Sequence, residues 1–452
     1  MKPSSPWPTF FIASAAVFLV SIDATVLYAA FPALRTAFPG SSAADLSWVL
    51  NAYTVVYAAL LVPAGRLADL HGRKRMFLAG VVVFLVASAA CGLAPTVTLL
   101  IAARALQAVG AALLLPASLA IVLAAFPASR RAVAVSLWGA VSGLAAALGP
   151  SIGSLVVDAW GWPAAFYLNL PIGVYAVVRG VRILQESRNP ATAAPLDIPG
   201  VVLLVAGVGG IAFGLVRSEA AGWLAASVLA SLVGGVGAIA AFVAWARRAR
   251  SPAIDLSLFT SRTYRFVNLA TLSYGVAFAM MFFTFFLFAT GVWHYSLSRA
   301  GLAVTPGPLC VVPTAIFAGR YAGRAGHRPL LIGGSLVFVA AGAWFLLVPT
   351  ATPAYLTAWL PGLLLSGIAT GMVLPSLAGA AVATLPPAQF GVGSAVNQAV
   401  RQVGAVLGVA LTIVLVGRAA QTPETFHHVF AWMIGLGLVT AVLSIPVDTR
   451  PR

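Results

Sequence analysis

Apolar residues follow one another along this chain in long runs, separated by short connections rich in Gly, Pro and charged side chains. A helix needs about 20 apolar residues to cross the hydrocarbon core of a bilayer. By that measure the pattern predicts fourteen spanning helices, at approximately 9–37, 46–67, 75–94, 97–125, 131–157, 163–184, 198–216, 222–245, 264–291, 298–319, 329–349, 354–383, 389–417 and 425–447. The connections are too short to hold an inserted soluble domain. The first run is too long for the core of a signal peptide and reads as a retained helix.

Composition agrees with the pattern. The chain is 61% hydrophobic and 8% charged, with a mean hydropathy of +1.00. A soluble domain cannot hide that much apolar side chain. The net charge of +16 comes from short clusters between helices, so it points to no nucleic-acid partner. With the N-terminus in the cytoplasm, inner loops and helix ends hold 20 of the 26 basic residues, among them Lys2, Arg130, Arg450 and Arg452. The outer side holds 4 (Arg35, Arg217, Arg299 and Arg418), a bias that satisfies the positive-inside rule. Both termini are then cytoplasmic. Cys91 and Cys310 lie in apolar runs and imply no disulfide framework.

Two connections repeat each other. GRLADLHGRKR (Gly65 to Arg75) follows the second span and GRYAGRAGHRP (Gly319 to Pro329) follows the tenth, with Gly-Arg, Ala and a second Gly in register. Each lies between the second and third helices of a six-helix block once the seventh and eighth spans are set aside. The expected architecture is an all-α membrane fold of two six-helix bundles, residues 1–190 and 251–452, with a two-helix insert at 191–250. Parallel repeats of this kind enclose a site near the bilayer midplane and rock around it.

One acidic side chain stands apart. Of ten Asp and Glu residues, only Asp23 falls near the middle of a predicted span, about 15 residues and roughly 22 Å along the first helix. A carboxylate at membrane depth carries a proton, holds a cation or pairs with a base. Burial disfavours its charge and a neighbouring base favours it, so small rearrangements can switch its protonation. Arg104, about 10 Å into the fourth span, and Arg401, about 18 Å into the thirteenth, are the bases inside helices. Arg104 can pair with Asp23 or snorkel to the headgroups. Arg401 can hold a polar or anionic substrate group or anchor its helix to carbonyls.

Asn397 lies four residues before Arg401, on the same helix face, and Gly404 and Gly408 continue that stripe as a packing groove. Tyr53 and Tyr57 are one turn apart in the second span, and Tyr274, Phe278 and Phe282 form a stripe in the ninth. Such aromatics pack cores or line cavities for flat, greasy compounds. Gly149, Pro150 and Gly153 interrupt the fifth span, where Pro removes a backbone donor and Gly admits close approach. His427 and His428 have only Glu424 nearby, too few ligands for a metal, and no catalytic set or phosphate-binding loop is present.

Five stretches carry a family resemblance over the whole chain. Gly65-Arg66-Leu67-Ala68-Asp69 with Gly72-Arg73-Lys74, then Arg104, Gln107, Gly110, Ala111 and Ala112, then Gly149-Pro150 and Gly153, are similar to motifs of the major facilitator superfamily. Asp23-Ala24-Thr25-Val26, followed by Tyr28 where Asn is common, and the stretch Gly391 to Leu411 resemble its fourteen-helix drug:proton antiporters. Ala108, Ala145 and Ser154 stand where that family usually has Gly.

The resemblance implies proton coupling at Asp23 and Arg104. It implies a cytoplasmic latch formed by Gly65, Asp69, Gly72 and Arg73, with Asp69 facing the start of the thirteenth helix near Gln389. It implies an exporter's bending seam at Gly149, Pro150 and Gly153. Candidate substrate contacts are Tyr28, Tyr53, Tyr57, Gln107, Tyr274, Phe278, Asn397 and Arg401. The expected activity is proton-driven efflux of small amphipathic or lipophilic compounds, with no cofactor or metal, by a monomer in a bacterial cytoplasmic membrane. A proton-coupled importer or facilitator of a small metabolite on the same fold is the alternative. One acid against two buried arginines suits neutral, monocationic or zwitterionic substrates, with an anion also open.

Overall fold

The structure, a computed structural model, describes residues 6–127, 131–188, 197–383, 385, 390–416 and 422–449. Lys2, Gln389, Arg130, Arg418, Arg450, Arg452 and the boundary drawn at 190/191 lie outside the described residues. Among the described residues every regular element is a helix. Helices alone keep all backbone donors and acceptors satisfied within one segment, which is what a bilayer interior demands.

The first half comprises α1 (Trp7–Ala37), α2 (Ala43–His71), α3 (Arg73–Gly92), α4 (Val97–Ala125), α5 (Arg131–Trp160), α6 (Ala164–Tyr167) and α7 (Asn169–Ile183). Next come α8 (Ile198–Ala221) and α9 (Ala226–Ala246). The second half comprises α10 (Arg262–Gly291), α11 (Leu297–Val304), α12 (Pro306–Ala325), α13 (Arg328–Leu347), α14 (Leu360–Ala383), α15 (Phe390–Val416) and α16 (Pro423–Ser444). Thirteen spans among the described residues are long and apolar enough to cross a membrane, and α5 adds a helix of 30 residues. The chain is a multi-pass membrane protein. Leu224, Val233 and Leu347 stay exposed, as a lipid-facing surface allows.

Four expectations need correction. The sixth span is two helices that part at Leu168, and the tenth parts at Thr305. Pro150 does not break the fifth span, because α5 runs through it from Arg131 to Trp160. The stretch Gly65 to Arg75 is not a loop. Gly65 to His71 form the end of α2 and Arg73 opens α3, so only Gly72 lies between them.

Gly72 has φ +109°, and Gly326, its counterpart in the repeat, has φ +77°. Both turns use a backbone conformation that an L side chain resists. The sequence repeat is therefore a repeat of one helix-breaking geometry.

The bundle has two distinguishable faces. Trp7 packs edge-on against Phe126 at the end of α4, Arg66 donates to the Ser251 carbonyl, and the His327 amide donates to Thr449. Trp7 and Thr449, near the first and last described residues, thus lie at one face, called here the terminal face. At the opposite, far face the two halves meet directly. The seam between them runs along α1–α10, α2–α15 and α5–α11.

Candidate functional site

Asp23 sits inside the first half, only 3% exposed. Its Oδ2 accepts from Arg104 Nη1 at 2.7 Å, and its Oδ1 accepts from Gln107 Nε2 and Asn169 Nδ2, each at 2.9 Å. Gln107 and Asn169 also donate to Ser88 Oγ, at 2.8 and 3.2 Å. Four helices, α1, α3, α4 and α7, thereby converge on one carboxylate. Each donor supplies a hydrogen bond in place of the water that burial removes.

Arg104 is equally enclosed at 1% exposure. Its Nε donates to the Val49 carbonyl at 3.0 Å, and its Nη1 also donates to Gln107 Oε1. The Tyr53 ring covers the guanidinium, with Cζ 4.0 Å from the ring centroid. The arginine therefore does not snorkel. Its depth in α4 meets that of Asp23 in α1, and the pair is paid for by hydrogen bonds on both sides.

Asn169 and Ser88 were missed in the sequence. Asn169 opens α7 just after the break at Leu168, a polar side chain set within an apolar run. That isolation was the available signal, as it was for Asp23.

The remaining candidates separate by position. Gln107 belongs to the carboxylate network. Tyr53 stacks on Tyr57, ring centroids 5.8 Å apart, which carries the aromatic row from Arg104 towards the second half. Tyr28 lies on the seam, 6.3 and 6.0 Å from Phe282 and Phe283. Phe278 packs on Phe282 at 5.0 Å and joins that group. Tyr274 turns the other way, bonding Thr370 and packing on Phe338 within the second half.

Asn397 also serves the second half. Its Nδ2 donates to Asn268 Oδ1 at 3.1 Å and Thr271 Oγ1 at 2.8 Å. The stripe it begins is a packing groove: a Cβ on Gly404 or Gly408 would lie 2.7 Å from the Leu272 carbonyl or 2.4 Å from the Val276 carbonyl of α10. Arg401 leaves that groove. Its Nε donates to Gln398 Oε1 at 3.1 Å, and it lies within electrostatic reach of Tyr57 and Tyr28.

The small residues of α5 face two ways. A Cβ on Gly149 would lie 1.9 Å from Thr25 Oγ1, and one on Gly153 would lie 2.9 Å from Val26 Cα. Both contacts are on α1, two and three residues beyond Asp23. The other side of α5 meets α11: the Pro150 carbonyl lies 2.6 Å from a Cβ built on Gly301. Ser151 bonds Thr305 and Ser298 donates to Asp158 across the same seam. One helix thus touches the carboxylate-bearing helix on one side and the second half on the other.

At the terminal face Asp69 Oδ1 accepts from Arg73 Nη2 at 2.9 Å and Nε at 3.1 Å, an i,i+4 pair spanning Gly72. The expected partner of Asp69, the start of the thirteenth helix at Gln389, is outside the described residues. The carboxylate that caps a helix here is Glu186. It accepts from the Lys74 and Arg75 amides, each at 3.1 Å, at the N-terminus of α3. Among the described residues no group of three His, Cys, Asp or Glu gathers as a metal site would require.

A model of the Major Facilitator Superfamily matches residues 13–409 and 267–452. The chain belongs to the Major Facilitator Superfamily. An uncharacterized transporter of this type from Mycobacterium tuberculosis is 36% identical over 90% of this chain and 69% of its own length. The cephamycin export protein CmcT of Amycolatopsis lactamdurans is 32% identical over 100% of this chain and 95% of its own. The puromycin resistance protein pur8 of Streptomyces alboniger is 33% identical over 98% and 92%. Among solved structures, a bacterial homologue of the human drug peptide transporters PepT1 and PepT2 superposes with a TM-score of 0.67 at 14% identity, covering 98% of this chain and 97% of that one. That last likeness concerns the fold alone.

Proposed function

We propose that this protein exports small amphipathic or lipophilic compounds, antibiotics among them, in exchange for protons. The observation that carries the reading is the Asp23–Arg104 pair, enclosed at 2.7 Å inside a membrane protein of this family. A proton on Asp23 removes the counter-charge of a buried guanidinium, which costs about 3–5 kcal/mol unless the surroundings rearrange. Protonation is thus a strong mechanical signal. Names of relatives such as the cephamycin and puromycin proteins support export and drug resistance.

The packing supplies a route for that signal. Thr25 and Val26 follow Asp23 on α1 and seat on Gly149 and Gly153 of α5, and α5 meets α11 across the seam. A shift of α1 on protonation loads the contacts that close the far face. In this reading the terminal face is cytoplasmic, the described conformation is closed at the outer side, and no cofactor takes part. Residues 1–190 and 251–452 rock as the two bundles, and α8 and α9 form the insert between them. One proton moving down 100 mV and one pH unit yields about 2.3 and 1.4 kcal/mol, enough for a substrate gradient of roughly several hundredfold.

The test is efflux from proteoliposomes with imposed pH gradients of both signs, alongside a resistance panel in cells. Substrate should accumulate against its gradient only when protons flow the opposite way. Accumulation in the same direction as the proton would support an importer and end this reading.

A further inference from the structure

Electrostatics divide Arg104 of α4 from Arg401 of α15. Arg104 is neutralised by Asp23 at 2.7 Å. Arg401 has no acidic partner among the described residues: its Nε reaches Gln398 at 3.1 Å, and its terminal nitrogens reach no acceptor. It is half-buried. A guanidinium partly withdrawn from water without counter-charge is costly, and its planar fork matches a carboxylate.

The surroundings also lack partners. The hydroxyl of Tyr53 is buried with no hydrogen-bond partner, and the hydroxyl of Tyr57 stands against Gln398 and near Arg401. A buried unmet hydroxyl costs about 1–3 kcal/mol. Tyr28, Phe282 and Phe278 stand on the same seam and offer flat apolar surface. Cation, donors and aromatic wall meet where the halves face each other.

We propose that Arg401, with Gln398 and Tyr57, is the recognition site for an anionic group, a carboxylate or ionised phenol, of an aromatic amphipathic substrate seated against Tyr28, Phe278 and Phe282. The proposal rests on the export reading and narrows it, since that reading leaves substrate charge open. The Tyr53–Tyr57 stack stands between Arg401 and the Asp23–Arg104 pair. Proton and substrate therefore occupy different sites and are linked through the movement of the halves, not by competition for one charge. An acid leaving as a proton enters moves two charges in the same electrical sense, so the membrane potential acts on both.

Three fluorescent probes with one ring system test this: pyrenebutyrate, its methyl ester and pyrenebutylamine, titrated onto the full-length protein in nanodiscs. A charge-assisted contact of this kind is worth about tenfold or more in affinity. The acid should bind at least about tenfold more tightly than the amine. Arg401→Gln should abolish that preference while leaving ester binding intact, which also reports that the variant is folded, and Arg401→Lys should restore part of it. An amine bound as tightly as the acid, an acid affinity unchanged in Arg401→Gln, or no binding of the acid overturns the proposal. Proton exchange, read separately with a pH dye inside liposomes, addresses the export reading. Acid-selective binding without proton exchange would end that reading and leave this one standing.

Discussion

Gly149 presses on Thr25 so closely that a methyl group in place of its hydrogen would lie 1.9 Å from the threonine hydroxyl and 2.9 Å from its Cβ. The contact joins α5 to α1 at two residues from Asp23. Gly149→Ala must push the helices apart, and overpacking of this kind costs about 1–3 kcal/mol. The expected result is a modest loss of thermal stability and a drop of at least about tenfold in efflux rate. Thr25→Ala in the same chain removes the hydroxyl and should recover part of both. Unchanged transport by Gly149→Ala, measured beside its unfolding temperature, would detach this seam from the mechanism.

The Asp23–Arg104 pair makes a prediction about stability that is separate from transport. Asp23→Asn leaves a guanidinium buried without its charge partner, which should destabilise by about 3–5 kcal/mol. Adding Arg104→Gln removes the stranded charge and keeps an amide in each place. The double variant should be more stable than Asp23→Asn alone, and the cycle measured by denaturant unfolding should return a large coupling energy. Additive effects would mean the two side chains do not depend on each other.

Asp69 and Arg73 behave differently, because their side chains are 30% and 21% exposed. Pairs so open to solvent contribute about 0–1 kcal/mol. Asp69→Asn should therefore leave stability nearly unchanged. If the pair acts as a latch, the variant should slow turnover more than it weakens substrate binding. A large affinity loss at normal turnover would count against the latch.

Glu186 and Gly72 form one unit at the start of α3. A Cβ on Gly72 would lie 2.5 Å from the Glu186 carboxyl, and φ is +109°. Glu186→Ala removes the cap from the Lys74 and Arg75 amides and should cost about 0.5–2 kcal/mol. Gly72→Ala should cost about 1–3 kcal/mol through backbone strain, and most of that loss should persist in the Glu186→Ala background. Full recovery there would show that the clash with Glu186, not the backbone, is the constraint.

Much of the fold was legible because hydrocarbon thickness dictates helix length, so runs of apolar residues read as spans whatever their detailed packing. The repeat was legible because Gly72 and Gly326 both break helices at positive φ. The basic stretch from Gly65 looked like a loop since Arg and Lys mark connections, yet helix propensity carries α2 to His71. The pairing of Asp23 with Arg104 was readable only as one of two outcomes, because 81 residues separate them and no local spacing records a tertiary contact. Asn397 and Arg401 share a helix face, but side-chain length parts them. The short amide stays with Asn268 and Thr271 of α10, while the long guanidinium reaches Gln398. The dual role of α5 was hidden for the same reason, as glycine gives no sign of which neighbour it admits.

The central claim is that Asp23 exchanges its proton for substrate. It is tested most directly with the Asp23→Asn/Arg104→Gln double variant beside the native protein in liposomes carrying a trapped pH dye. The native protein should release a proton inward as substrate moves outward and should concentrate substrate under an imposed pH gradient. The double variant should still exchange substrate for substrate at equal concentrations, with neither a proton signal nor accumulation. Undiminished accumulation and proton flow in the double variant would contradict the account.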